Sequence, residues 1–323
     1  MLGLLVGCRP VPPVEDPSPW PRVSSEELVP SEAEPKFSGE AALRRVEELM
    51  GWPRGLGDPR RGESIEALAG MLERAGASKV ERQELSAPDP ATGESFALVN
   101  LLAHVRPEAP HRFVLATHFD TRPWADEEED PAAHAMPVPG ANDGTSGVAV
   151  VLELMPLLID ALPEHVGLTV ILFDGEELGR PGQGGYCMGS RHFAAQAAAA
   201  PPAWLAEARL GVVLDMVGDR DLHVPMEPGS AERAPALVDR LWEVAATRGH
   251  VQFENRLRSV GIIDDHVYLH EAGIPSILII DKEYEPWHTR RDTLDRVSAQ
   301  SLEAVGDTVL HAFIAWAAEA SPG

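Results

Sequence analysis

Apolar positions recur at spacings of three and four in "GEAALRRVEELMGW" (39–52) and "SIEALAGMLERAG" (64–76), which predicts two amphipathic helices. "KVERQEL" (79–85) and "FALVNLLAHV" (96–105) then read as strands, and "RFVLATHFD" (112–120) as a buried strand with polar groups at its exit. After an acidic, Pro-rich loop from Arg122 to Gly140, "TSGVAVVLELMPLLIDAL" (145–162) reads as a helix and "VGLTVILFDGEE" (166–177) as a strand. The order continues with a helix (189–200), a strand "LGVVLDMVG" (210–218), a helix (234–249), a strand "GIPSILIID" (273–281) and a closing helix (298–320). Strands that alternate with helices predict an α/β fold: a three-layer sandwich whose central mixed, mostly parallel sheet is covered by helices on both faces.

The chain has 323 residues, enough for one large domain, and 44% of them are hydrophobic, an ordinary globular composition. Its formal charge of −24, from 51 acidic and 27 basic residues, argues against nucleic acid as a partner. A metal ion, or a neutral or amine-bearing substrate such as a peptide amino terminus, suits that field better. Two cysteines, Cys8 and Cys187, give no disulfide framework.

Leu5, Val6 and Gly7 precede Cys8 in the pattern of a bacterial lipoprotein signal, although this apolar stretch is shorter than a normal signal and lacks a basic start. We expect 1–8 to act as that signal, with a lipid anchor on Cys8 at the periplasmic side of the cell envelope; a chance match would leave the protein cytoplasmic. Residues 9–36, rich in Pro and Glu, read as a flexible tether. A single catalytic domain over 37–323 follows.

Several apolar strands exit onto residues of one chemical kind. They are His118 and Asp120, the adjacent pair Glu176 and Glu177, Asp215, and His288 a short loop beyond "SILIID". In a sheet of parallel strands those exits share one edge, where ligands bind. Asp143 joins them from "GANDGTSG", a tight turn into a helix. Imidazoles mixed with carboxylates suit Zn²⁺. A cation held by Glu177 would offset its repulsion with Glu176 and leave Glu176 free to carry a proton.

"THFDTRP", "GANDGTSG", "LFDGEELG" with "GSRHFA", "LDMVGD", "DDHVYLHEAGIP" and "PWHTRRDT" come in the order found in the zinc-dependent glutaminyl cyclases, and the chain resembles them and the related zinc aminopeptidases of the bacterial leucyl type over about residues 40 to 318. That resemblance implies Asp143, Glu177 and His288 as zinc ligands and Glu176 as general acid/base. It also implies Asp264 and Asp215 as acids that hydrogen-bond in the pocket, with Trp287 as the aromatic wall beside the substrate.

The aminopeptidases hold two zincs that share a carboxylate. His118, Asp143, Glu177, Asp215 and His288 would supply every ligand, with His118 and Asp215 on the second ion. The cyclases hold one. Trp287 before His288, "DDH" at 264–266 and the long link "RPGQGGYCM" (180–188) resemble the cyclases. Leu278 departs from the animal cyclases, which carry a His at the matching place, so the pocket wall differs. The favoured expectation is a cyclase converting amino-terminal Gln to pyroglutamate, with a metallo-aminopeptidase as the alternative and a noncatalytic binding module as a third reading. His192, His266 and His270 read as structural, with His266 holding the loop before Asp264, and the Cys187 thiol reads as unreactive. The run "ADEEED" (125–130) reads as a solvated loop and Trp124 as a possible pocket rim.

Overall fold

A computed structural model describes residues 34–320. Cys8, the expected signal and nearly all of the expected tether lie outside the described residues. The elements in chain order are α1 (Gly39–Met50), α2 (Arg61–Arg74), β1 (Lys79–Pro88), β2 (Ser95–Val105), β3 (His111–His118), α3 (Ser146–Ala161), β4 (Val166–Phe173) and α4 (Met188–Ala199). Then follow β5 (Ala208–Asp215), β6 (Val224–Met226), α5 (Pro228–Arg233), α6 (Pro235–Arg248), β7 (Phe253–Leu257), α7 (Asp265–Glu271), β8 (Ser276–Ile280) and α8 (Ala299–Glu319).

Six strands form one sheet in the order β1-β2-β4-β3-β5-β8. β1 with β2 and β2 with β4 run antiparallel, whereas β4, β3, β5 and β8 run parallel to one another. Period-two alternation explains the layers. Phe113, Leu115, Val170, Leu172, Val212, Leu214, Ile277 and Ile279 face a core closed by α1, α3, α6 and α8. Their neighbours Val114, Ala116, Ile171, Phe173, Val213, Leu278 and Ile280 face the other way, against Phe193 of α4 and Leu269 of α7. Both faces of the central strands are therefore buried, as their unbroken apolar runs require.

Ser38 caps α1 by accepting from the Ala41 amide at 3.2 Å, and Ser298 caps α8 in the same way. The buried Arg54 donates to the carbonyls of Leu49 (2.6 Å) and Phe119 (2.9 Å) and to the Thr145 hydroxyl. One side chain thus ties the end of α1 to the exit of β3 and the start of α3.

The expected sandwich is present. The periodicity argument finds neither β6 and β7, which pair in a small separate sheet, nor the short helices α5 and α7. A strand of three residues and helices of six and seven are too short to display a period, and β7 buries only Phe253.

Candidate metal centre

Because β4, β3, β5 and β8 are parallel and adjacent, their carboxyl ends open on one rim. There His118 closes β3, Glu176 and Glu177 follow β4, Asp215 closes β5, and His288 lies beyond β8. Asp143 enters the same rim just before α3. His118 Nε2 lies 3.0 Å from Asp215 Oδ1 and 3.3 Å from Asp143 Oδ1, while His288 Nε2 lies 3.4 Å from Glu177 Oε2 and 3.9 Å from Asp143 Oδ2. The two oxygens of Asp143 therefore face two different histidines. One atom each from His118, Asp143 and Glu177 lies within 4.8 Å of the others, and all three residues are buried.

The backbone around these groups is held by further buried acids. Asp292 accepts from the amides of Asn142 (2.8 Å) and Asp143 (3.1 Å) and from the Tyr284 hydroxyl (2.7 Å), which sets the turn that presents Asp143. Gly144 in that turn has φ +82°, and a Cβ there would meet the Asp120 carbonyl at 2.1 Å. Asp120 accepts from the amides of Glu176 (3.2 Å) and Glu177 (3.0 Å), so it supports the glutamate pair. Arg122 donates to Glu177 Oε2 at 2.9 Å and makes a two-pronged pair with Asp126, both bonds 2.6 Å.

These surroundings drive the adjacent glutamates apart. Burial, then the Glu177 charge and the nearby Asp264 and Asp265, raise the Glu176 carboxyl well above its usual range. Burial pushes Glu177 up too, but His288 and Arg122 outweigh it and hold Glu177 well below that range. Glu176 thus holds a proton more tightly than the carboxylate beside it. Asp143 is raised to about 8, first by burial and then by Glu177, and Asp264 to about 7 by burial and Asp215. Closely packed carboxylates with two imidazoles form a nitrogen-and-oxygen donor set with excess negative charge, and that set fits a divalent zinc ion.

The other nominated residues are accounted for as follows. Asp264 caps α7, with one atom within 4.8 Å of Cys187 and Asp265. The Cys187 thiol donates to Glu176 Oε1 at 3.2 Å, and burial raises its pKa, in line with an unreactive thiol. Trp287 stacks on the His288 ring with centroids 3.6 Å apart. His266 Nε2 lies 3.3 Å from Glu227, which also accepts from the Ile262 amide, so His266 does help hold the loop before Asp264.

Two readings are corrected. The acidic run is not wholly solvated: Asp126 turns inward, 3.5 Å from His288 Nδ1, because Arg122 anchors it. Trp124 is buried among Leu56, Ala87, Leu98 and Leu178 instead of standing at a rim. Arg122, Asp126, Tyr284 and Asp292 escaped sequence reasoning as parts of the site; the nearest signal was that Arg122 and Asp292 lie inside "THFDTRP" and "PWHTRRDT".

Comparison with known proteins agrees with this geometry. The profile of peptidase family M28 matches residues 100–313. The structure of Bacteroides thetaiotaomicron glutaminyl cyclase bound to N-acetylhistamine is 32% identical, with a TM-score of 0.79 over 87% of this chain and 99% of that one. A leucine aminopeptidase precursor from the same organism gives 32% identity and a TM-score of 0.79 over 87% and 98%. Fimbriiglobus ruber glutaminyl cyclase gives 33% and 0.78 over 88% and 98%. Aminopeptidase YwaD of Bacillus subtilis (strain 168) is 29% identical over 212 residues, which are 62% of this chain and 40% of that longer relative.

Proposed function

We propose, from the premise that this chain belongs to peptidase family M28, that it is a zinc-dependent glutaminyl-peptide cyclotransferase, turning amino-terminal Gln of peptides into pyroglutamate with release of ammonia. The observation that carries this reading is Trp287 stacked on His288, which sets an indole directly beside the metal ligands. The buried Asp264 next to the Glu176–Cys187 pair adds an acid able to hold a proton near neutrality.

In this reading Asp143, Glu177 and His288 hold the zinc, which when bound polarises the substrate's γ-amide oxygen. Glu176 accepts a proton from the substrate α-amine as the nitrogen bonds to the γ-carbon, and returns it to the nitrogen that leaves as ammonia. Both reacting groups belong to one residue, so little approach entropy remains to be lost. Asp264 and Asp215 orient the polar atoms, and the edge of Trp287 bounds the pocket beside them.

A second reading has one specific observation in its favour: His118 and Asp215 meet one oxygen of Asp143 while His288 meets the other. That set could hold two zincs for aminopeptidase hydrolysis. Incubating zinc-loaded protein with a Gln-initiated and a Leu-initiated peptide, followed by mass spectrometry, decides between them. Ammonia loss from the first with the second intact supports the cyclase; free leucine supports the peptidase, and turnover of neither removes both.

A further inference from the structure

Two residues past the end of β8, Lys282 folds its ammonium back over the Trp287 indole, 3.2 Å from the ring centroid. His288 stacks on the same indole at 3.6 Å. Groups that close to one centroid cannot share a face without overlap, so the indole lies between ammonium and imidazole. Among the described residues the ammonium has neither an ion pair nor a hydrogen bond. A π face attracts its charge but leaves its three N–H donors without an oxygen acceptor. Burial works against the charge, and the acids of the candidate centre, Asp143, Asp215, Glu177 and Glu176, sustain it through space. A half-buried cation whose donors meet no protein oxygen favours whatever brings it an acceptor.

We infer that Lys282 is a specificity-determining residue, which takes an acceptor oxygen on the second residue of a bound peptide and selects acidic over basic side chains there. The inference rests on the reading that peptide amino termini are the substrates, and holds for cyclisation and hydrolysis alike. The first residue has to lie against Glu176 and the metal ligands, where its reacting atoms are handled. Across the indole from His288, the ammonium meets the residue that comes next. The net charge of −24 on the whole chain would by itself favour basic peptides, so a preference for acidic ones has a local origin.

The test is equilibrium binding to zinc-loaded protein carrying Glu176→Gln, which separates binding from turnover. Titration with Gln-Glu-Ala, Gln-Ala-Ala and Gln-Lys-Ala should give a Kd about tenfold lower for the first than for the last. Adding Lys282→Met should bring that ratio close to one, Lys282→Arg should keep it, and Lys282→Glu should invert it. An unchanged ratio in the Lys282→Met protein overturns the inference, as does failure of all three peptides to bind. Zinc content and unfolding temperature establish that each variant is folded, and Lys282→Gln serves as a second neutral variant if Lys282→Met is not. Turnover by the unaltered protein is measured separately. Its absence would sink the proposed function, while the binding ratios still decide the role of Lys282.

Discussion

Asp126 stands 3.5 Å from Nδ1 of His288 while the other ring nitrogen, Nε2, faces Glu177 at 3.4 Å. A carboxylate behind a ligating imidazole fixes the ring's tautomer and orientation and makes its metal-facing nitrogen a better donor. Replacing Asp126 by Asn should therefore weaken zinc about 10- to 100-fold. Competition against a chelator of known affinity checks this, and an unaltered affinity would reduce Asp126 to a partner of Arg122.

Glu176→Gln should retain zinc yet lower turnover by about 100-fold or more, since the amide cannot carry the proton. Elemental analysis and peptide mass spectrometry on one sample test both halves. Undiminished activity would mean that another group moves the proton.

Gly144→Ala should be among the costlier small substitutions in the chain. The left-handed φ of +82° and the Asp120 carbonyl 2.1 Å from a new Cβ leave no room to relax without moving the turn that carries Asp143. A loss of about 1–3 kcal/mol is expected from the backbone alone, and zinc binding should fall with it. Chemical denaturation with and without zinc measures the two effects.

Metal-free protein should become less stable as the pH rises from about 4 to about 7. Burial raises Asp281 and Asp292 to about 6 and Asp264 to about 7, from an ordinary 3.8. At these three carboxyls the folded chain keeps protons that the unfolded chain has released, which makes the slope negative and outweighs His104 and His270, lowered to about 4 by burial and acting the other way. Glu227, lowered to about 2 although burial opposes it, acts in the other direction and loses its contribution only in strong acid. Melting temperatures of the chelated protein should fall by several degrees across the window; a flat profile would contradict these assignments.

Zinc should raise the melting temperature more at pH 8 than at pH 5. Ligating Asp143, whose pKa is raised to about 8, requires displacing a full proton at the lower pH and only part of one at the higher. Equal gains at both values would indicate that Asp143 is not a ligand.

Residues that meet at the rim were legible because each follows a strand whose apolar run can only be buried, and parallel strands bring such exits together. His118, Glu177 and Asp215 are cases of that rule. Asp126 and Arg122 were not legible: nothing within "TRPWADEEED" separates the one acid that turns inward from its four solvated neighbours. That choice is made by tertiary contacts from Glu177 and His288, far away in sequence. The helix behind Asp264 was hidden for a different reason, since seven residues span barely two turns.

The three bonds of Arg54 bear on how far this protein can be trimmed. The family match begins at residue 100, yet Arg54 and the helix it ends lie upstream and brace both the exit of β3 and the threshold of α3. A fragment cut to the shared stretch would lose that brace, the edge strand β1 and the first half of β2, exposing the rest of β2 as an unpaired edge prone to sticking to other chains. The smallest piece that behaves as an enzyme therefore has to start ahead of α1.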